Sequence, residues 1–381
     1  CQTTKYTDVN WCLGDSIKFI HNTKPPTQGV SGTLFSVADI TVNRDNNIVF
    51  YYRGKWNGSK EDSTSFFDKY DSKISDSDFL KIVTGNKALI ALVFDSVSNV
   101  YSYFNHVYSD NIFISDTSIY QHSIQVIPNL QILQKNHRVL RRKLTSALAA
   151  CKHANGQDWW LLCHGHGNNR FYRMLVTKFG VQLVDSQAIG PIFSLGLVGA
   201  TCHLVFNQQG NKLVALNREG NLNFYDFNRC TGLLSNNTDR GFTPKVTSFS
   251  GFKLMYLDGE FNKTGELFYL VRPDTLYQYD KVYNRRICWY DTLDVPEKSV
   301  VAIKYNYESN VMYSVNATNG SQSYIPTDKD FRMGIINHPD SLGAACSFKH
   351  GALYLNGRRA PGGFGATVNH NLGAQGQASA W

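Results

Sequence analysis

The chain has 381 residues and a mass of 43.0 kDa, enough to hide about three quarters of its surface on folding. That excludes a small scaffold held only by staples. With 42% hydrophobic and 18% charged residues, overall disorder is excluded too. The formal net charge of +8 is uneven. Residues 1–134 carry 11 Lys/Arg against 13 Asp/Glu, so the remainder carries +10, and half of that lies in Lys135–Lys143 (KNHRVLRRK). Aromatic residues at 13%, 30 Gly, 33 Asn and only 10 Pro predict many short strands joined by tight turns.

Residue 1 is Cys, which reads as a processed mature end carrying a membrane-anchoring lipid, with residues 1–10 as anchor and linker. Val37–Gly54 reads as a hairpin around Asn43–Asn47, and Lys87–Phe104 as another around DSVSN. Ser59–Ile82 mixes acids with spaced aromatics and is expected to be a helical or irregular insertion. Lys135–Lys143 is expected to be a solvated loop between strands. Leu144–Val181 gives three strands around Asn155-Gly156 and Gly167–Asn169, the first being a strong hairpin signal. Val198–Phe227 gives three more, and Val246–Tyr279, Val300–Ile325 and Gly343–Leu355 continue the style.

These units begin roughly every forty to fifty residues, the repeat length of propeller blades. The predicted fold is all-β, a single β-propeller over residues 11–359. Seven four-stranded blades fit the length, with six or eight allowed and a two-sheet sandwich as the alternative. Residues 360–381 form a Gly-rich tail without charge. It is expected to be pinned at an interface, with Phe364 or Trp381 as anchor.

Candidate chemistry is sparse. The longest weakly polar stretch, Ile192–Phe206, is too short to cross a bilayer as a helix. His153, Cys163, His164, His166 and His203 form one loose cluster. His164 and His166 share a strand face and Cys163 points away, a pattern more typical of packing than of zinc. Asp158, Trp159 and Trp160 invite a sugar-stacking reading, yet consecutive tryptophans on a strand face opposite ways, so core packing is expected. No Walker loop, Gly-x-Ser-x-Gly elbow or His-Glu-x-x-His is present. Neither enzyme activity, a cofactor nor a metal is expected. The basic run, Lys135, Arg138, Arg141, Arg142 and Lys143, suits anionic lipid headgroups, lipopolysaccharide or an acidic protein face; nothing in it suits nucleic acid.

DWWLLCHGHGNNRFYRMLVTKFGV (Asp158–Val181), NWCLGDSIKF (Asn10–Phe19), FYDFNRCTGLLSN (Phe224–Asn236) and LYQYD (Leu276–Asp280) together resemble the β-propeller region of large Bacteroidota cell-envelope proteins associated with gliding motility or type IX secretion. ADITVNRDNNIVFYYRG and INHPDSLGAACSF…LYLNGRR extend the likeness over nearly the whole chain. Where that family carries Ser-Pro-Asp-Gly turns, this chain has FNQQGNK, YNYESN and SFSGFK. The resemblance implies a non-catalytic, lipid-anchored interaction subunit of an outer-membrane transport, secretion or gliding complex, partnered by a β-barrel. A surface adhesin or glycan-binding propeller is the alternative.

Overall fold

The computed structural model describes residues 33–35, 38–42, 48–57, 60–68, 72–76, 89–95, 100–108, 117–125, 130–193, 202–217, 219–241, 258–272, 275–280, 299–306, 311–317, 331–337, 351–353, 372 and 375. Every regular element among them is a strand. The chain divides into two compact units, residues 1–73 with 256–364, and residues 74–255 with 365–381.

In the first unit, β1 (Thr33–Phe35) and β2 (Ala38–Val42) both pair with β3 (Ile48–Asn57), which also pairs with β4 (Lys60–Asp68). β2 and β3 thus pair antiparallel, as the hairpin pattern expects, while residues 43–47 lie outside the described residues. Ser59–Ile82 is corrected in its first part: β4 is an extended strand in register with β3, Phe67 opposite Tyr51 and Phe66 opposite Tyr52. Alternating Ser and Thr beside aromatics favour the pleat over a helix.

The second unit holds three four-stranded meanders, each in chain order. The first is β5 (Leu89–Asp95), β6 (Val100–Tyr108), β7 (Thr117–Gln125) and β8 (Gln131–Arg142). The second is β9 (Leu144–Lys152), β10 (Trp159–Gly165), β11 (Arg170–Thr177) and β12 (Gly180–Ala188). The third is β13 (Cys202–Phe206), β14 (Lys212–Asn217), β15 (Leu222–Phe227) and β16 (Leu234–Asp239). The first unit resumes with β17 (Asp258–Phe261), β18 (Leu267–Arg272) and β19 (Thr275–Asp280), then β20 (Ser299–Asn306), β21 (Val311–Ala317), β22 (Phe331–Asn337) and β23 (Gly351–Leu353). There the buried Asp258 carboxylate accepts from the Ile303 amide at 3.1 Å, linking β17 to β20.

The middle meander of the second unit shows why these sheets stack. Its strands β9 and β10 are buried along their whole length, as continuous apolar runs covered on both faces must be. Trp160 and Leu162 pack with Cys202, Leu204, Ala215 and Tyr225 of the third meander. Trp159, Leu161 and Cys163 pack with Leu92, Phe104, Ile119 and Leu140 of the first. A sheet sandwiched between two others excludes a two-layer sandwich for this unit. Exposure rises from β9 outward to β12, the gradient of a propeller blade. The Ser146 hydroxyl accepts from the Cys202 amide at 3.1 Å and reaches the Cys202 carbonyl at 3.2 Å, tying inner strand to inner strand. The fold is therefore all-β and of the propeller type, with six sheets among the described residues.

One turn recurs. In residues 153–158, 207–212 and 262–267, the first amide donates to the sixth carbonyl, at 2.8, 3.1 and 2.9 Å. The glycine at the fourth position donates back to the first carbonyl, at 3.0, 3.0 and 3.1 Å. That glycine has φ of 74°, 67° and 70°, a left-handed conformation that a side chain makes costly. Asn207 and Asn262 cap the amides of the fifth and sixth residues with Oδ1.

Candidate interaction surface

The basic run is not a loop. Residues 135–142 belong to β8, the outer strand of its meander, and Lys143 occupies the bend before β9. Three register shifts interrupt its pairing with β7, so its cations fall at successive positions and hide the period of two. Leu140 is buried against the sheet, while Arg138, Arg141, Arg142 and Lys143 are exposed. A charged, bulged edge also resists pairing with a stray strand.

One bulge has a defined support. Asn136, at φ 59°, donates its amide to Nδ1 of buried His122 at 3.1 Å. That nitrogen is therefore an acceptor, and Nε2–H donates to Asn105 Oδ1 at 2.8 Å. Burial, and secondarily the Lys135 charge, lowers the His122 pKa to about 3, so the ring stays neutral. Lys135 itself reaches Asp76 Oδ1 at 3.0 Å and the Asp76 carbonyl at 3.2 Å. It fastens β8 to the 72–76 segment, whereas Arg138, Arg142 and Lys143 enter no ion pair among the described residues. Arg170 extends the surface. It is exposed, its guanidinium bonds Ser186 Oγ at 3.1 Å, and its turn is joined to Lys143 by the His166 amide donating to the Lys143 carbonyl at 3.0 Å. Isolated in sequence, Arg170 gave no sign of this.

The histidine cluster serves packing. His164 Nδ1–H donates to the Gly165 carbonyl at 2.7 Å, and its ring stacks on Phe193 at 4.0 Å and meets the Phe171 edge at 4.6 Å. Burial lowers its pKa to about 4, opposed by that hydrogen bond and aided by His166. His153 accepts from the Asn155 amide and donates Nε2–H to the Cys230 carbonyl at 3.1 Å. Cys163 lies on the opposite face, its thiol pushed up by burial. Among the described residues no three His, Cys, Asp or Glu side chains are grouped as metal ligands.

Both tryptophans of the sugar-stacking reading are buried. Trp160 Nε1–H donates to the Arg229 carbonyl at 2.8 Å, and Arg229 returns Nε–H to the Lys152 carbonyl at 2.8 Å. Trp160 thus anchors the β15–β16 turn on the middle meander, where Arg173 also donates to the Thr231 carbonyl at 2.7 Å. Cys1, Phe364 and Trp381 lie outside the described residues. Two tail residues are described, and both rest on the second unit: Leu372 packs against its core, and the Gln375 amide donates to the Ala154 carbonyl at 2.7 Å.

No family model matches the chain, and no curated protein does. Similar solved structures include a functionally unknown protein from Desulfotomaculum acetoxidans, at 10% identity over 71% of this chain and 77% of that one, with a TM-score of 0.44. The Myceliophteria thermophila Cps50 (Swd1) β-propeller domain is 8% identical over 76% of this chain and 96% of its own, with a TM-score of 0.37. The Dos1 propeller is 9% identical over 82% and 74%, with a TM-score of 0.46. Nothing in these comparisons connects the chain with Bacteroidota, gliding motility or type IX secretion, so that expectation stands on the quoted motifs alone.

Proposed function

We propose that this chain is a non-catalytic interaction scaffold that meets an acidic partner surface through β8. The observation that carries the reading is the line of exposed cations, Arg138 and Arg142 on the outer strand of its sheet and Lys143 in the bend that follows, beside a bulge that buried His122 holds. A rigid sheet stack presents such a line at little entropic cost. In its finer form the proposal makes the chain an accessory subunit of an outer-membrane assembly, partnered by a β-barrel and held by a lipid on Cys1. That form rests on the residue at position 1 and the motif resemblance. The burial of Trp159 and Trp160 removes the feature that favoured a glycan-binding adhesin.

Pull-down from native membranes with the chain and with an Arg138→Glu, Arg142→Glu, Lys143→Glu variant tests the scaffold. Loss of the captured partner by tenfold or more in the variant is expected. An unchanged set of partners excludes β8 as the contact. Mass spectrometry of the N-terminal peptide tests the anchor separately, since an unmodified Cys1 removes it.

A further inference from the structure

We propose that the first turns of two adjacent blades form a peptide-docking groove, and that the chain's own C-terminal segment fills it in cis. The groove lies wholly in the second unit, between the β9–β10 turn and the β13–β14 turn, with Arg229 as its floor. Ala154 is buried, and its amide is spent on the Arg229 carbonyl at 3.1 Å. Its carbonyl accepts the Gln375 amide at 2.7 Å. Three residues earlier in the tail, Leu372 packs against the core that Cys151, Trp160, Leu204 and Leu213 share. A tail that merely lay on the surface would not combine a half-buried apolar anchor with a short main-chain hydrogen bond.

Gly210 makes the seat. Its φ of 67° already requires a residue tolerant of left-handed geometry. A Cβ there would also stand 2.5 Å from Cys151 Sγ, 2.9 Å from Leu372 Cδ1 and 3.2 Å from Arg229 Cδ. Asparagine tolerates the φ but not the space. Gly265 occupies the equivalent position of the equivalent turn, with φ 70°, in the other unit. Gly265 therefore controls for the left-handed conformation of the turn, to which Gly210 adds crowding by Cys151, Leu372 and Arg229 together. The recognised ligand is a peptide with one leucine anchor and an amide donor three residues on. This inference is independent of the β8 proposal.

The test uses the full chain and a fluorescein-labelled peptide of residues 366–379 (ATVNHNLGAQGQAS). Leu372→Asp empties the groove, and by fluorescence anisotropy this variant is expected to bind the peptide at least tenfold more tightly than the unmodified chain. The same peptide carrying aspartate in place of leucine is expected not to bind, and Gly210→Asn added to the variant is expected to abolish binding, whereas Gly265→Asn is not. Equal binding of both peptides, or none to a Leu372→Asp chain that retains its native circular dichroism, overturns the proposal. Hydrogen exchange of the unmodified chain needs no variant to fold. The Gln375 amide is expected to exchange at least a hundredfold more slowly than in the free peptide, and exchange at the free-peptide rate overturns the cis occupancy.

Discussion

The backbone amide of Asn136 and the Nδ1 atom of His122 stand 3.1 Å apart, and through that bond a buried imidazole holds the bulge of the basic strand. Replacing His122 with Ala strands the Asn136 amide and the Asn105 carboxamide, whose Oδ1 loses its donor. The buried Asn105 group left unpaired costs about 1–3 kcal/mol, and the half-buried Asn136 amide adds less. Urea denaturation is expected to show that loss, and a change below about 0.5 kcal/mol would mean that the bulge does not depend on the ring.

Acid sensitivity follows from three buried rings. Burial lowers His106 to about 4, His122 to about 3 and His164 to about 4, each from 6.5. The lowered folded-state values mean that the unfolded chain binds more protons below pH 6.5, so stability is full above that pH and falls as pH drops toward 4. Each ring contributes about 1.4 kcal/mol per pH unit at most. Together they remove on the order of 6 kcal/mol between pH 7 and pH 5, a large part of a domain's stability. The urea midpoint is expected to stay flat from pH 7 to 8.5 and to fall steeply between pH 6.5 and 4.5. A flat profile down to pH 5 would show that these rings take up protons in the folded state.

Gly232 and Gly180 both have positive φ, 68° and 138°, but different surroundings. A Cβ at Gly232 would stand 2.8 Å from the Trp160 ring, whereas one at Gly180 meets nothing within 4 Å. Gly232→Ala therefore adds overpacking, about 1–3 kcal/mol, to the backbone strain that both substitutions share. Thermal unfolding is expected to rank Gly232→Ala well below Gly180→Ala, and equal melting temperatures would dissociate the β15–β16 turn from Trp160.

The cations of β8 divide by what they touch. Lys135→Ala removes the exposed pair with Asp76 and costs about 0–1 kcal/mol. Arg138→Ala and Lys143→Ala are expected to leave stability within about 0.5 kcal/mol. If they serve binding, partner affinity falls with rising salt, as screening over a Debye length of about 8 Å at physiological ionic strength requires. Affinity unchanged between low and high salt would argue against an electrostatic contact.

Much of this architecture was legible in the residues. Asn155-Gly156 and the turns at 167–169 and 208–211 marked strand ends correctly, because turn chemistry is local. The opposite facing of Trp159 and Trp160 followed from the pleat alone. What stayed hidden had nonlocal causes. The bulges of β8 break the alternation, so a strand looked like a charged loop, and β4 is drawn into extension by its pairing with β3. Arg170 joins the basic surface only through the Lys143 carbonyl, a contact that no spacing announces. The seat of Leu372 depends on a glycine some 160 residues earlier (372 against 210).

The recurring six-residue turn starts at 153, 207 and 262, intervals of 54 and then 55 residues. Its backbone bonds fix where each inner hairpin reverses, so drift in the surrounding side chains leaves strand alignment untouched. At the first copy an imidazole stands where the other two have a carboxamide, and it reaches the Cys230 carbonyl as well. One copy thus carries a brace to its neighbour and keeps the reversal, so a joint between two sheets can be tightened without altering either hairpin.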